Sequence, residues 1–468
     1  MRPVPPTAPI SPEGPAAAAE PGERTSPEPA AEPVERGGSE PGERRPAGPA
    51  GERSLPEVLR PAWAEIDLDA LAGNFRRLRD LVAPARVLAV IKADAYGHGA
   101  PEVGRALEAA GVELLGAALL EEGAEVRRAG VSVPILVLGV ARAAQLPYYR
   151  RYRLTPVVSG LDQLAMWRDW LAGEGSAGGP EPERRQPIHL KVDTGMTRLG
   201  IAEAELPRAL EMVRESSHLE LAGLLSHLAD ADLLESPRNP DQERRFARAV
   251  EALSAEERSR ALLHLANSAG ALHFPASRHD LVRLGLALYG HDPAPDPERG
   301  FDEALEPVMS VKTRTVLVRD VAAGTRVSYG GRWTAERPSR IGVLPVGYAD
   351  GYAWRLTHRA SALVRGRRLP LVGSVSMDMT FVDLTDLPPG EPPVEAGEEV
   401  VLLGRQGGER ITVTELAEAA GTIPYELLCL LGLRLARRYG GGPRAGAGAD
   451  LPGEAGGEVV TRFGGASP

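Results

Sequence analysis

Cysteine is almost absent from this chain. Of 468 residues one is a cysteine, Cys429, and a single thiol makes neither an internal disulfide nor a cysteine-based zinc site. It falls in the apolar run Leu427-Leu428-Cys429-Leu430-Leu431, where it reads as a small buried hydrophobe. Long apolar stretches are lacking too. None reaches the roughly 18 residues that a membrane helix needs, and the N-terminus has no apolar signal-peptide core. The expected location is therefore the cytoplasm, with no membrane partner. Positive charge is outweighed: the net charge of -10 argues against a nucleic-acid partner, which needs clustered Lys and Arg. The acidity reads as solubility. What remains, 43% apolar and 25% charged residues, is ordinary for a globular protein of two or three domains.

The ends of the chain differ from its middle. Residues 1–55 are rich in Pro, Ala, Gly and Glu, and residues 441–468 in Gly and Ala. Such segments bury too little to offset their ordering entropy, so a disordered extension and a flexible tail are expected. Between them, residues 56–300 alternate apolar runs with helical patterns. The candidate strands are Val87–Ile91, Leu114–Leu119, Pro134–Leu138, Leu154–Val158, Ile188–Val192, Leu221–Ser226, Leu262–Ala266 and Leu281–Leu284. Most are continuous hydrophobic runs, as in strands covered on both faces. Helices are expected at Leu68–Leu81, at Glu102–Ala110, and at Asp241–Leu253 with Asp241 as its N-cap. Eight strand–helix units suggest a (β/α)₈ TIM-type barrel, although a doubly wound sheet satisfies the same periodicity.

Residues 301–440 read as a mainly-β domain. Val308–Val318 alternates with polar residues. Short runs follow at Arg340–Val346, Ala362–Val364, Leu369–Val372, Thr380–Leu384 and Val400–Leu403, with Arg365-Gly366-Arg367 as a hairpin turn. One helix, Thr414–Ala420, is expected near the end with Thr414 as its cap.

In a barrel, the strand ends carry the chemistry, and unusual residues gather there. Lys92 ends the first strand. Lys191, Asp193 and Arg198 follow the fifth, His227 the sixth. His264, Asn267 and Ser268 surround the seventh, and Arg283 lies in the eighth. Any one alone reads as an ordinary ion pair or a hydrogen-bonded core residue; together they mark a site. Lys92 alone would snorkel to solvent. Partial desolvation would instead lower its pKa and let it form an imine and act as a base. Gly97-His98-Gly99 permits a tight backbone approach beside it, and Tyr96 can stand beside a planar ring.

The run Lys92-Ala93-Asp94-Ala95-Tyr96-Gly97-His98-Gly99 resembles the cofactor-lysine signature of bacterial alanine racemases. The resemblance continues in order through Lys191-Val192-Asp193-Thr194-Gly195-Met196-Thr197-Arg198-Leu199-Gly200, Ser226-His227, Asn267-Ser268-Ala269 and Arg283-Leu284-Gly285-Leu286-Ala287-Leu288-Tyr289-Gly290. In the β domain it includes Val327-Ser328-Tyr329-Gly330, Leu344-Pro345-Val346-Gly347-Tyr348-Ala349-Asp350-Gly351, Val375-Ser376-Met377-Asp378-Met379 and Ile423-Pro424-Tyr425-Glu426. It covers about Ala62 to Tyr439. Asp94 stands where many members carry Asn.

This resemblance implies a pyridoxal 5'-phosphate (PLP) barrel, a C-terminal β domain and a head-to-tail homodimer with shared active sites. It implies interconversion of L- and D-alanine by two bases, supplying D-alanine for peptidoglycan. Lys92, which also holds PLP, would act on the D enantiomer, and Tyr329 of a second subunit on the L enantiomer. His227 and Arg283 would tune Tyr329 in series, and Arg283 would face the pyridine nitrogen. Tyr96, Asn267, Ser268, Gly285, Leu286 and Tyr425 would hold the cofactor. Arg198 would contact cofactor and substrate, and Met377 the substrate carboxylate. Tyr348 and Tyr425 would narrow the entrance. Lys191 matches a lysine that some members carbamylate; a plain Lys191–Asp193 pair is the simpler reading. No metal is implied. Three rivals remain: a broad-specificity racemase, a decarboxylase of similar architecture, and a non-catalytic PLP-binding barrel. The decarboxylase class usually carries a polar-motif cysteine that is missing here, and the non-catalytic barrel lacks a second domain.

Overall fold

The computed structural model describes residues 60–176, 185–296, 298, 300–388, 392–431, 434–441 and, for the backbone alone, 458–460. The expected disordered extension lies outside the described residues, as does most of the expected tail.

The first described strand is β1 (Ala62–Asp67), and Asp67 then caps the helix Leu68–Val82 by accepting from the Ala70 N–H at 2.9 Å. The helix buries Leu71, Phe75, Leu78 and Val82, spaced three and four apart along one face. Eight parallel strands follow: β2 (Arg86–Val90), β3 (Leu114–Ala117), β4 (Ile135–Val137), β5 (Leu154–Val158), β6 (Gln186–Lys191), β7 (Leu219–Leu225), β8 (Leu262–His264) and β9 (Leu281–Leu284). They pair in sequence from β2 to β8, and β9 pairs with β2. The ring closes between β8 and β9 through Asp280 N–H to Leu263 O and Arg283 N–H to Ala266 O, both 3.0 Å, with the Asp280 carboxylate accepting from Leu263 N–H. This is the (β/α)₈ barrel, not a doubly wound sheet.

The remaining strands are β10 (Met309–Arg314), β11 (Leu317–Val321), β12 (Arg326–Val327), β13 (Trp333–Thr334), β14 (Ser339–Leu344), β15 (Ser361–Val364), β16 (Arg367–Val372), β17 (Thr380–Asp383), β18 (Glu399–Gln406), β19 (Glu409–Ile411), β20 (Ala436–Gly440) and β21 (Glu458–Val460). The large sheet runs β11-β14-β17-β16-β15-β18-β10-β1-β20-β21, with β19 on β18. The first described strand thus belongs to the sheet of the β domain, antiparallel to β10 and parallel to β20.

Three local expectations are corrected. The run Val308–Val318 is two strands, broken where the Thr315 hydroxyl bonds Glu395 O at 2.7 Å and its N–H bonds Glu398 O. The helix expected to start at Asp241 runs Arg238–Glu251 with Pro237 as its N-cap residue and no side-chain cap. Prolines at 237 and 240 fit there because the first helical turn has no intrahelical acceptors for its N–H groups. The helix expected from Thr414 is Val413–Ala420, capped by the Thr412 hydroxyl on Glu415 N–H at 3.1 Å. The hairpin at Arg365-Gly366 is as expected, with both residues at positive φ between β15 and β16.

One buried carboxylate ties the residues just before β1 to the β domain. Asp350 is wholly inaccessible. It accepts from Arg60 at 2.5 and 2.6 Å, from Arg434 at 3.0 and 3.3 Å and from Gly347 N–H at 2.9 Å. Burial pushes its carboxyl up, but the Arg60, Arg434 and Gly347 bonds outweigh this and hold it below its usual value. Its stabilisation is therefore complete above the unfolded carboxyl pKa of about 3.9 and fades as pH falls through the lower folded value. Asp350→Ala should lower unfolding stability by about 3 kcal/mol at pH 7 and by less near pH 2. An unchanged urea midpoint at pH 7 would show the pair of arginines to be ornamental.

Candidate active site

Lys92 follows β2 after one residue, Ile91, and the backbone beyond it turns the wrong way. Ala93, Asp94, Ala95 and Tyr96 have φ of 52–54° and ψ of 41–50°, one turn of left-handed helix. Each such non-glycine residue costs about 1–2 kcal/mol, so the turn must be held from outside. Glu122, after β3, accepts from Ala93 N–H at 2.7 Å with one carboxylate oxygen and from Ala118 and Leu119 N–H with the other. Arg437 on β20 donates to Gly97 O at 2.9 Å and pairs with Asp94 at 2.9 Å. The Tyr439 hydroxyl donates to His98 O at 3.1 Å. Gly97 is required: a Cβ there would lie 2.1 Å from Leu428 O on the helix Pro424–Leu430. Burial lowers the Lys92 pKa, Arg198 and Arg283 lower it further, and Glu122 and Cys429 oppose them.

Arg283 projects from β9 and is 3% exposed. Its Nη1 donates to His264 O and His264 Nδ1, both at 3.0 Å. Its Nη2 donates to Ser226 O at 2.7 Å, Leu265 O at 2.8 Å and His227 Nδ1 at 3.1 Å. Among the described residues nothing accepts its Nε–H. These bonds set tautomers: arginine only donates, so His227 and His264 accept at Nδ1 and carry their protons on Nε2. His264 passes the polarity on, donating to His189 Nδ1 at 2.9 Å. Burial, then Arg283, keeps all three imidazoles neutral, His189 down to about 3 and the other two well below their usual value.

The loop after β6 is tied by Ile201 N–H to Lys191 O and Asp193 N–H to Ile201 O. Asp193 accepts from Gly195 and Thr197 N–H at 2.9 and 3.0 Å. It therefore braces the loop that carries Arg198. Lys191 is buried; burial, Arg283 and Arg198 lower its pKa to about 8 against the opposing Asp193 charge.

On the opposite side, Ser268 Oγ accepts from Gly285 N–H at 2.8 Å and Ala287 N–H at 3.5 Å, and Leu286 follows in the same turn. Asn267 caps the short helix Ser268–His273 through Gly270 N–H at 2.9 Å. A Cβ on Gly285 would sit 2.5 Å from the Tyr96 hydroxyl, so glycine leaves a cradle between phenol, serine and backbone. Tyr425 lies with its ring 6.1 Å from that of Tyr96, and burial, then Asp232 and Asp292, raises its pKa to about 12.

Among the described residues, Tyr329, Tyr348 and Met377 of the β domain form no hydrogen bond to these barrel residues within one chain. Tyr329 sits between β12 and β13 after Ser328 at φ 64°, and is 77% exposed. Met377 and Tyr348 are exposed too, bound to each other's loops through Ala349 N–H to Met377 O and Tyr348 N–H to Ser376 O. Sequence reasoning missed Glu122 and Arg437 as braces of the lysine turn; no local motif marks either. It also missed that half-buried Cys429 lies close enough to Lys92 for each to shift the other's pKa.

Two family matches cover this architecture: the alanine racemase N-terminal domain over residues 66–293 and the alanine racemase C-terminal domain over residues 308–439. The chain belongs to the alanine racemase family. As a member it is an amino-acid racemase. It is 43% identical over 383 residues to the alanine racemase of Symbiobacterium thermophilum, covering 82% of this chain and 98% of the relative. The crystal structure of alanine racemase from E. faecalis matches with a TM-score of 0.74 and 32% identity, over 81% of this chain and 98% of that one. That of Bartonella henselae, described with covalently bound pyridoxal phosphate, matches with a TM-score of 0.69 and 30% identity over 81% and 99%.

The chain has only three lysines, Lys92, Lys191 and Lys312, so ¹³Cε-lysine labelling gives three side-chain signals to assign. In buffer purged of carbon dioxide, which keeps the amine free, the Lys191 signal should titrate near pH 8. A Lys191 titration midpoint above pH 10 would remove the depressed amine from this racemase's site.

Proposed function

We propose that the chain interconverts L- and D-alanine with PLP held at Lys92, in a cytoplasmic homodimer whose two sites are each completed by the partner's β domain. The observation that carries this reading is Arg283: its Nη hydrogens are engaged by the barrel, its Nε–H is left over, and it stands within electrostatic reach of Lys92 and bonded to His227. The residues suit the cofactor. The Gly285 cradle with the hydroxyls of Tyr96, Ser268 and Tyr425 fits a phosphate dianion. Gly285 and Leu286 contribute backbone at that cradle, and Asn267 orders the helix that begins with Ser268. Bound PLP supplies the electron sink that makes a Cα proton removable.

The chain's own residues do the rest. Arg283 can only donate, through Nε–H, so it would leave a cofactor ring nitrogen set against it unprotonated and keep the sink modest. Lys92 Nζ takes or returns the Cα proton on the face of the D enantiomer; its lowered pKa favours the neutral amine. Tyr329 of a second copy serves the other face. A phenol has a reference pKa near 10, and the His227 Nε2–H, directed by Arg283, is a donor that favours the phenolate. Arg198 binds the substrate carboxylate together with the Met377 backbone N–H of the second copy. Tyr348 and Tyr425 narrow the entrance toward a methyl side chain. Lys191, partly neutral near pH 8, adds through Nζ to carbon dioxide, releasing a proton and leaving a carbamate that orients Arg198. The exposure of Tyr329 and Met377 in a single chain supports the second copy, as does that of Trp354 and Ile423. D-alanine so made serves peptidoglycan synthesis. Among the described residues no helix is long and apolar enough to cross a membrane.

Lys92→Ala and Tyr329→Phe should each lose racemisation when expressed alone. Co-expressed, they should recover about a quarter of wild-type activity, because half the dimers are mixed and one site in each is intact. No recovery would place both bases in one subunit. Failure of the unmodified enzyme to form D-alanine from L-alanine would sink the alanine reading itself.

A further inference from the structure

His98 takes no part in the chemistry above, yet it is a fully buried polar side chain just beyond the left-handed turn. Its ring stacks on Tyr289 with centroids 4.4 Å apart, and the Tyr289 hydroxyl donates to Val90 O on β2 at 3.0 Å. Its Nδ1 lies 2.9 Å from both Ala95 O and Tyr96 O. Both partners are carbonyl oxygens, so Nδ1 carries the proton. The Nε2 lone pair is buried, and nothing among the described residues bonds it. Burial also drives the ring pKa down to about 3, which keeps the ring neutral near neutral pH.

The two carbonyls belong to the last two residues of the left-handed turn. One N–H bridging both fixes the exit of that turn, as the Glu122 bond to Ala93 N–H fixes its start. On the reading above, Lys92 holds the cofactor at one end of the turn and Tyr96 touches its phosphate at the other. We propose that His98 is a positioning residue: its Nδ1–H, shared between the Ala95 and Tyr96 carbonyls, sets the left-handed turn so that Lys92 and Tyr96 face one cofactor. This rests on the assignment of PLP to Lys92. A ring that merely fills space beside Tyr289 would need no proton on Nδ1.

The two uses of the ring separate by where a replacement carries its N–H. Asparagine places an amide N–H close to the imidazole Nδ1; glutamine places it close to Nε2, where no acceptor waits. Holoenzyme and its His98→Asn and His98→Gln variants are dialysed against a PLP series. Cofactor occupancy is read from visible absorbance, fold from circular dichroism, and the attachment point from borohydride reduction and peptide mass spectrometry. His98→Asn should bind PLP within about twofold of the unmodified enzyme, and His98→Gln, equally folded, about tenfold more weakly, as the loss of one buried hydrogen bond implies. Equal behaviour of the two variants, whether both intact or both impaired, overturns the proposal. So does a His98→Gln chain that fails to fold while His98→Asn folds, because the N–H would then hold the domain and not aim the lysine. If the unmodified enzyme shows no adduct on Lys92, the cofactor assignment itself fails and this inference falls with it.

Discussion

A guanidinium buried in the last barrel strand organises the site. Arg283 is taken out of water and compensated without a carboxylate: three backbone carbonyls and two imidazoles accept its Nη hydrogens. That solution has consequences in every direction. A cation that only donates forces His227 and His264 to accept, which fixes their tautomers and, through His264, that of His189. Its charge lowers the pKa of Lys92 and Lys191. A carboxylate in its place would reverse both effects, inviting protonated histidines and firmly charged lysines.

The second constraint is backbone strain beside Lys92. Four consecutive left-handed residues persist because three separate parts of the fold grip them: Glu122 beyond the neighbouring strand β3, the helix Pro424–Leu430 pressed on Gly97, and Arg437 with Tyr439 on β20. Strain held in this way is common where a side chain must be aimed rather than merely placed. The β domain therefore does two jobs. Within its own chain it braces the lysine turn through β20. Through the exposed Tyr329 loop it offers, on the proposed mechanism, a second base to another copy.

The eight barrel strands are legible in the sequence because burial on both faces leaves continuous apolar runs. Strands β1 and β20 are not. Ala62–Asp67 carries Glu65 and Asp67, and Ala436–Gly440 carries Arg437 and Arg438; their burial comes from partners far along the chain, which no local pattern encodes. The break at Thr315 is hidden for the same reason, since its hydroxyl finds Glu395 only in the folded sheet. The site divides likewise. The order of motifs points to Lys92, Arg198, His227 and Arg283, and the structure brings these into one electrostatic group. The left-handed turn leaves no trace in Lys92-Ala93-Asp94-Ala95-Tyr96, which holds no glycine to mark a positive φ. Cys429 reads as core from its leucine neighbours, because a helix places a residue by its face and not by its sequence company.

The pairing of β1 has a consequence for how the protein is born. This strand is synthesised before the barrel, but its sheet neighbours β10 and β20 are synthesised after it. At about 5–20 residues per second, β1 waits roughly 20–75 s for β20. During that interval the barrel, whose strands are contiguous in sequence, can close behind it. The grip on the lysine turn comes last of all, when Arg437 and Tyr439 arrive. A chain stopped short of β20 would carry every barrel residue of the site and still lack one of the three grips that aim its lysine.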